Sequence, residues 1–348
     1  MNCLSISSPA AKTLRRTRAG FLIAMSLAAA SVVGSAQSHR STKETVATAS
    51  APASSEISGG YIAVLDTDNH RVQVFDGAGN YLSQFEHGFD LPTGIALDSR
   101  SNLYVKDGNV NCQADKFHFD GELLFQFGAC ATDGIGLGIF DNVGSVAVDA
   151  GGDVWISSPD FYYMQKIDSA GNFLSIVCMA NVGITGCNAA TPFSVQPYGI
   201  ALDASGNIYV TNVDPFTGYN VVKFSNAGVY LATIGSSGAG NGQFEYPENL
   251  AVSSSGKLYV ADSENNRIQI FDSAGVYLSQ FGSLGSGDGQ FDYPVGLAFD
   301  ASGNVYVGDV GNNRIQKFDS DGDYLSQFGS GGSGNGQFFA PYGVVVQK

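Results

Sequence analysis

The chain has 348 residues, of which 44% are hydrophobic and only 14% are charged, and 45 are glycines. This composition favours a turn-rich, all-β globular domain and excludes an intrinsically disordered chain. Four basic and no acidic residues lie among residues 1–36, so the rest of the chain carries −19 although the whole carries −15. So acidic a surface repels phosphate groups and anionic lipid heads, which argues against nucleic acid and membranes as partners.

The first 36 residues have the features of a signal peptide. A basic segment at residues 12–18 precedes an apolar run at 21–33 and a small-residue cleavage site at 34–36. The run is shorter than the roughly 20 residues that span a membrane. Arg15 and Arg16 leave the twin-arginine route open beside the general secretory route. We therefore expect a secreted or periplasmic protein that leaves the membrane after signal cleavage.

Residues 37–58 are rich in serine, threonine and alanine and show no apolar period, which predicts a flexible linker. Repeats begin directly afterwards. Residues 59–348 are therefore predicted to form one domain.

The clearest repeat comprises residues 246–282 and 293–329, in which Tyr259 and Tyr306 are equivalent positions. A period of 47 residues indicates a solenoid, a propeller or an array. Each copy has four short runs of alternating apolar and polar residues, and Asp-x-x-Gly turns follow the first and the third run. Four strands joined by tight turns are typical of an antiparallel propeller blade.

Six blades are expected from the number of copies. Residues 61–86 match only the last three strands of a blade, and residues 340–348 match only a first strand. Pairing of residues 343–347 with residues 62–65 would close the ring and remove the open sheet edge. The full copies lie at 91–128, 141–177, 196–235, 246–282 and 293–329.

Two kinds of residue recur in the copies for structural reasons. One position of the second strand is aromatic in nearly every copy. We predict that these residues pack in the interior, and the alternative is that they form a platform on which a ligand stacks. The position is occupied by Ala63, Tyr104, Trp155, Tyr209, Tyr259 and Tyr306. Turn aspartates are predicted to accept hydrogen bonds from turn N–H groups. They are Asp76, Asp98, Asp149, Asp168, Asp203, Asp272, Asp300 and Asp319.

Residues 294–318, 247–271 and, in part, 66–75 resemble the NHL repeat, with the pattern Pro-x-Gly-(Ile/Leu)-Ala-x-Asp-x-x-Gly-x-(Ile/Val)-Tyr-Val-x-Asp-x-x-Asn-x-Arg. The resemblance implies an NHL-type six-bladed β-propeller. NHL domains are mostly binding platforms for proteins, peptides, RNA or sugars. A minority of related propellers are enzymes, among them amidating lyases and gluconolactonase-like metal hydrolases. The acidity argues against RNA.

The residues that open the first strands are expected to ring the central channel. At this position Glu248 and Asn249 bring a carboxylate and an amide together, which makes Ca²⁺ conceivable. Gluconolactonase-like propellers need further acidic ligands from other blades, and we therefore expect no metal site. Tyr198 and Tyr342 beside the acid fit a polar–aromatic binding pocket. Amidating lyases bind zinc through channel histidines, whereas His39, His70, His87 and His118 share no ligand spacing.

The copies between residues 91 and 235 lose the regular loop between their second and third strands. Aromatic residues in the replaced loops are expected on the face of the channel mouth, where they suit proteins, peptides or polysaccharides. These candidates are Phe161, Tyr162, Tyr163, Phe216 and Tyr219. The alternative is that the repeat has decayed and the rings fold under the loops.

Four cysteines remain after signal cleavage, and they allow three pairings. We predict disulfides Cys112–Cys130 and Cys178–Cys187 in an oxidising compartment, with four free buried thiols as the alternative. The function predicted from the sequence is that of an exported, non-catalytic, monomeric binding propeller without a cofactor. The alternative is a channel-centred hydrolase or lyase that uses Glu248, Asn249 and Tyr198.

Overall fold

The computed structural model describes residues 60–108, 112–130, 137–140, 144–180 and 190–347, with the backbone alone at 129–130. The predicted signal peptide and linker lie outside these residues. Six four-stranded antiparallel sheets form in the described ranges, and they confirm the predicted six-bladed β-propeller. No helix there is long and apolar enough to cross a membrane.

The strands follow the predicted order along the chain. The first three blades and the connectors between them contain β1 (Tyr61–Asp66), β2 (Arg71–Asp76), β3 (Tyr81–Phe85), β4 (Pro92–Leu97), β5 (Leu103–Asp107), β6 (Gln113–Phe117), β7 (Leu123–Phe127), β8 (Ala129–Cys130), β9 (Ile139–Phe140), β10 (Val146–Val148), β11 (Val154–Ser158), β12 (Tyr163–Ile167) and β13 (Phe173–Cys178). The short strands β8 and β9 pair in parallel outside the blades.

The second half of the chain is more regular. Its strands are β14 (Pro197–Leu202), β15 (Ile208–Asn212), β16 (Asn220–Phe224), β17 (Tyr230–Ile234), β18 (Ser236–Ser237), β19 (Gln243–Phe244), β20 (Pro247–Val252), β21 (Leu258–Asp262), β22 (Arg267–Phe271), β23 (Tyr277–Phe281), β24 (Pro294–Phe299), β25 (Val305–Asp309), β26 (Arg314–Phe318), β27 (Tyr324–Phe328) and β28 (Pro341–Val346). Single 3-10 turns follow the second strand in three blades, at Thr67–Asn69, Ser263–Asn265 and Val310–Asn312.

The last strand closes the ring as predicted. Strand β28 pairs antiparallel with β1, and Val64 lies opposite Val344 and Ile62 opposite Val346. The first blade therefore has the strand order β28-β1-β2-β3, so that its inner strand comes from the far end of the chain.

The recurring aromatic residues pack between blades, as predicted. Tyr104 is fully buried in a cluster with Val146 and Ile156 of the next blade. The ammonium group of Lys116 lies 4.8 Å from the Tyr104 ring centroid and 3.4 Å from the Asp98 carboxylate. Trp155, Tyr209, Tyr259 and Tyr306 are likewise at most 2% exposed. This position therefore belongs to the inter-blade core.

The turn aspartates cap the tight turns. The carboxylate of Asp300 accepts hydrogen bonds from the N–H groups of Ser302 and Asn304 at 2.9 Å each. The corresponding bonds are made by Asp76, Asp98, Asp149, Asp168, Asp203, Asp272 and Asp319. These carboxylates are structural.

A buried ion pair fixes the loop after the second strand in the three regular blades. The guanidinium of Arg267 donates to Asp262 at 2.7 Å. It also donates to the carbonyl oxygens of Gly240 and Gln243, in the preceding connector, at 2.8 and 2.9 Å. The same pairs recur as Asp66–Arg71 and Asp309–Arg314. Each arginine therefore joins its blade to the connector before it.

Glycines in the first strands set the spacing of the ring. A Cβ on Gly199 would lie 2.8 Å from the Asn249 Cα and from the Glu248 carbonyl oxygen in the next blade. Such a distance is too short for a side chain. Gly94 and Gly296 approach Ser145 and Tyr342 of the next blades in the same way, at 2.9 Å.

Candidate functional site

The topology brings three kinds of segment to one side of the ring: the first-strand openings, the loops between second and third strands, and the connectors between blades. We call this side the mouth face. A cavity of 320 Å³, lined by Tyr61, Arg100 and His118, lies on the opposite side of the ring, among the Asp-x-x-Gly turns.

Glu248 occupies the centre of the candidate site. It stands at the start of β20, is only 5% exposed, and accepts a hydrogen bond on Oε1 from the Tyr293 hydroxyl at 2.5 Å. Its other oxygen, Oε2, accepts a hydrogen bond from the hydroxyl of Tyr342 in β28. The structure therefore brings together two predicted residues, Glu248 and Tyr342, through a direct contact.

Burial raises the pKa of the Glu248 carboxyl to about 7. The hydrogen bond from Tyr293 acts in the opposite direction, because it stabilises the charged form, and the nearby negative charge of Glu264 raises the pKa further. The carboxyl thus changes charge close to neutral pH.

A second tyrosine group continues from the carboxyl across the mouth face. The ring of Tyr246 lies 6.0 Å from that of Tyr198 and 5.9 Å from that of Tyr219, with edge-to-face angles of 71° and 62°. Burial, followed by the charge of Glu248, raises the pKa of Tyr246 to about 12. The predicted loop residue Tyr219 and the predicted mouth residue Tyr198 therefore belong to one surface.

Asn249, the other predicted residue at this position, makes a local contact. Its side-chain oxygen accepts a hydrogen bond from the N–H of Leu250 at 2.8 Å. The Glu248 carbonyl accepts a hydrogen bond from the Thr211 hydroxyl of the preceding blade at 3.3 Å. Both contacts hold the start of β20 in place below the carboxyl.

Two tyrosines of the site, Tyr246 and Tyr293, were not among the residues predicted from the sequence. Each precedes the proline that opens a first strand and has a left-handed backbone, with φ of 56° and 63°. Leu91 and Ala340 hold the same position and conformation in other blades, with φ of 64° and 56°. The repeated Tyr-Pro pair at 246 and 293 was the available signal.

The predicted loop aromatics divide into two groups. Tyr163 is fully buried and its hydroxyl donates to the Ile139 carbonyl at 2.7 Å, so its side chain is not on the surface. Phe161 stacks on Tyr163 at 5.8 Å and is partly buried, whereas Tyr162 is partly exposed with φ of 55°. Phe216 is 93% exposed. Among the five predicted loop aromatics, the exposed ring surface therefore lies mostly in the blade of Phe216 and Tyr219.

The described residues include only part of the predicted disulfides. Cys112 and Cys178 are buried, but Cys187 and the Cys130 side chain lie outside the described residues, so both disulfides stay predictions. Within the described ranges, no three His, Cys, Asp or Glu side chains are grouped so as to hold a metal ion.

The NHL repeat family matches residues 244–271 and 291–318, which correspond to two successive blades. The chain carries NHL repeats. The NHL matches begin at the buried phenylalanine of each connector and end at the phenylalanine of each third strand, so they include the Asp–Arg pair of both blades.

Curated relatives of these NHL repeats include proteins that act on peptides. Peptidylglycine alpha-amidating monooxygenase of Rattus norvegicus is 27% identical over 237 residues, which cover 59% of this chain and 22% of that protein. NHL repeat-containing protein 3 of Mus musculus is 32% identical, over 34% of this chain and 35% of that protein. The probable peptidyl-alpha-hydroxyglycine alpha-amidating lyase of Caenorhabditis elegans is 25% identical, over 40% and 39%. The chain thus matches only a minor part of each relative's length.

Solved structures share the fold. A protein of unknown function from Bacteroides caccae superposes with a TM-score of 0.59 at 14% identity, over 84% of this chain and 100% of that chain. A streptogramin B lyase superposes with a TM-score of 0.50 at 17% identity, over 72% and 70%. At these identities the likeness concerns the propeller fold alone.

Proposed function

We propose that this NHL-repeat propeller is an exported binding protein that holds a peptide or an extended protein segment on its mouth face. The run of partly exposed rings from Tyr219 through Tyr246 to Tyr198 carries the proposal. Large, rigid aromatic side chains on a fixed scaffold are typical anchors of protein recognition, because they lose little conformational entropy on binding.

Two further observations support a peptide rather than a polysaccharide. The names of two relatives state that those proteins act on peptidylglycine or on peptidyl-alpha-hydroxyglycine. Phe216 extends the surface with a ring that is 93% exposed. An exposed phenylalanine is a poor hydrogen-bonding partner for a sugar but a good apolar contact for a side chain of a peptide.

The test is a binding screen of the purified protein against a peptide library, followed by titration of a selected peptide. Tyr219→Ala and Phe216→Ala should each weaken binding about tenfold. Phe216→Ala should leave the Tm unchanged, because its ring is 93% exposed, and Tyr219→Ala should lower it only slightly, because its partly buried ring lies at the edge of a core cluster. Phe173→Ala is the matched control, since Phe173 is 37% exposed on the outer strand β13. Binding that is unaffected by the first two variants, or equally weakened by the control, would contradict the proposal.

A second candidate function is proton-transfer catalysis at Glu248. A carboxyl with a pKa of about 7 between two phenol donors is suited to accept and return a proton near neutral pH. The test is turnover of lactones and of peptidyl-alpha-hydroxyglycine, with Glu248→Gln as the inactive variant. The absence of turnover with both substrates would leave the binding function as the only candidate.

A further inference from the structure

Glu248 lies within a wall of phenol rings. Its two oxygens accept hydrogen bonds from Tyr293 and Tyr342. The rings of Tyr198 and Tyr246 pack edge-to-face beside it, close enough for the charge of Glu248 to raise the pKa of both phenols. A carboxylate has about four lone-pair positions, of which two are used here, so N–H donors of a ligand can still be accepted. The four rings are partly exposed, whereas Glu248 is only 5% exposed, so a ligand would reach the carboxyl along the surfaces of the rings.

Tyrosine rings attract cations that come within about 6 Å of the ring centroid. A carboxylate attracts the same groups and orients their N–H donors. Rings and carboxyl together therefore select a positively charged group with an organic body, which is large enough to contact the rings.

The charges around this cluster have the same sign. The negative charge of Glu264 raises the pKa of both Glu248 and Tyr246. The pKa of Glu264 is itself raised by burial and by the charges of Glu245 and Asp292. The charge of Asp160, in the blade β10–β13, raises the pKa of Tyr198. The mouth face next to Glu248 is thus surrounded by carboxylates.

The cations of the mouth face are already neutralised. Its three arginines, Arg71, Arg267 and Arg314, each form a buried ion pair. Lys106 is fully buried, donates to the Asp107 carbonyl at 3.0 Å, and lies near the Asp115 carboxyl, whose pKa burial raises and the lysine charge lowers. The loops and connectors of this face contain no other lysine or arginine in the sequence. The negative potential at Glu248 is therefore not cancelled by a neighbouring side chain.

We propose that Glu248 and its surrounding tyrosines form a binding site for an organic ammonium group, such as the α-amine or a lysine amine of a peptide. The ammonium forms an ion pair with Glu248 and contacts the faces of Tyr198 and Tyr246. This inference rests on the proposed function, because the ammonium is the charged part of the bound segment.

Binding of this kind is linked to proton release. The ammonium binds the ionised form of Glu248, so affinity should increase from pH 6 to pH 8 and a proton should leave the site at pH 6.5. The tyrosines stay protonated in this range, since burial raises the pKa values of Tyr198, Tyr246 and Tyr293. The charged groups that face the site are the carboxyls of Glu248, Glu264 and Asp160, and the phenols around them are those of Tyr198, Tyr246, Tyr293 and Tyr342.

The experiment compares n-butylammonium with n-butanol, its neutral analogue, by NMR of the tyrosine rings and by calorimetry in two buffers. We expect n-butylammonium to bind at least tenfold more tightly and to release a proton. Glu248→Gln should remove this preference, and Glu122→Gln, an exposed carboxylate on the opposite face, should not. Tyr246→Leu, which keeps the carboxyl but removes a ring, should weaken n-butylammonium binding severalfold and provides a second variant.

Two peptides of one sequence, with a free or an acetylated N-terminus, then distinguish an α-amine from a lysine side chain as the bound group. Equal affinity for n-butylammonium and n-butanol, or binding that is unchanged in Glu248→Gln and Tyr246→Leu, would overturn the inference. If library peptides bind but n-butylammonium does not, only this inference fails. If n-butylammonium binds but no peptide does, the ammonium site stands and the proposed peptide function fails.

Discussion

The hydroxyl of Tyr342 donates a hydrogen bond to the carboxylate of Glu248, although the two residues lie on the first strands of different blades and the blade β24–β27 stands between them. Tyr342 lies on β28, the strand that closes the ring with β1. The candidate site and the closure of the propeller thus share one strand. A disturbance of the closure should therefore reach the site.

The pH dependence of stability should report the burial of Glu248. Its folded-state pKa of about 7 lies above the ordinary value of 4.5, so its stabilising contribution is present below pH 4.5 and is lost as the pH rises to about 7. The variant Glu248→Gln should not show this loss. The unfolding free energy of the variant minus that of the wild type should therefore be larger at pH 8 than at pH 5, by on the order of 3 kcal/mol. Urea unfolding at both pH values measures this difference. The same difference at pH 5 and pH 8 would show that the carboxyl is not desolvated.

Replacement of an arginine in one of the three buried Asp–Arg ion pairs should be strongly destabilising. Arg314→Ala leaves the buried Asp309 carboxylate without its ion pair, which costs about 3–5 kcal/mol. Arg314→Lys keeps the charge but loses the donors to the Gly287 and Gln290 carbonyls, so it should restore only part of the stability. Denaturant unfolding of both variants measures the effect. Full stability in Arg314→Lys would show that the contacts with the connector contribute nothing.

The closing strand should be required for the whole ring. Deletion of residues 340–348 removes the inner strand of the first blade and exposes the edge of β1, so cooperative unfolding should be lost. The point variant Val344→Ala, which removes buried methyl groups opposite Val64, should cost about 2 kcal/mol. Calorimetry measures both. A deletion variant with an unchanged Tm would mean that the first blade does not need β28.

The first-strand glycines should not tolerate even one methyl group. In Gly199→Ala the new Cβ would meet the backbone of the next blade at 2.8 Å, and a small-to-large change in such packing costs about 1–3 kcal/mol. Gly287→Ala is the control, because its Cβ would meet only the flexible end of the Gln290 side chain. Equal Tm values for the two variants would argue against close approach of the inner strands.

Most of the fold could be predicted because it repeats. Each blade shows its own alternation of apolar residues and its own Asp-x-x-Gly turns, and the incomplete copies at the two ends of the domain indicated how β28 and β1 would pair. The positions of Ala63, Tyr104 and Tyr306 between blades followed from the same alignment. A local pattern that recurs six times is far more informative than any one segment.

The site could be predicted only in part, for reasons that concern the same repeat. Glu248 was found because it is the one carboxylate at its position among the six blades, and Tyr342 because it shares that position. Tyr293 was missed because its contact with Glu248 depends on a left-handed backbone before a proline, which the alternation of strands does not report. Tyr163 was placed on the surface because the divergent loop hid the point at which β12 begins.

The hydrogen bond from the N–H of Gln347 to the carbonyl of Tyr61 places the two ends of the folded ring side by side. A short peptide could join them, and new termini could then be opened in a connector such as residues 238–241. Such a circular permutant would have all four strands of every blade continuous in sequence, including the first. The order in which the blades are synthesised would change, while the channel and its tyrosines would keep their places.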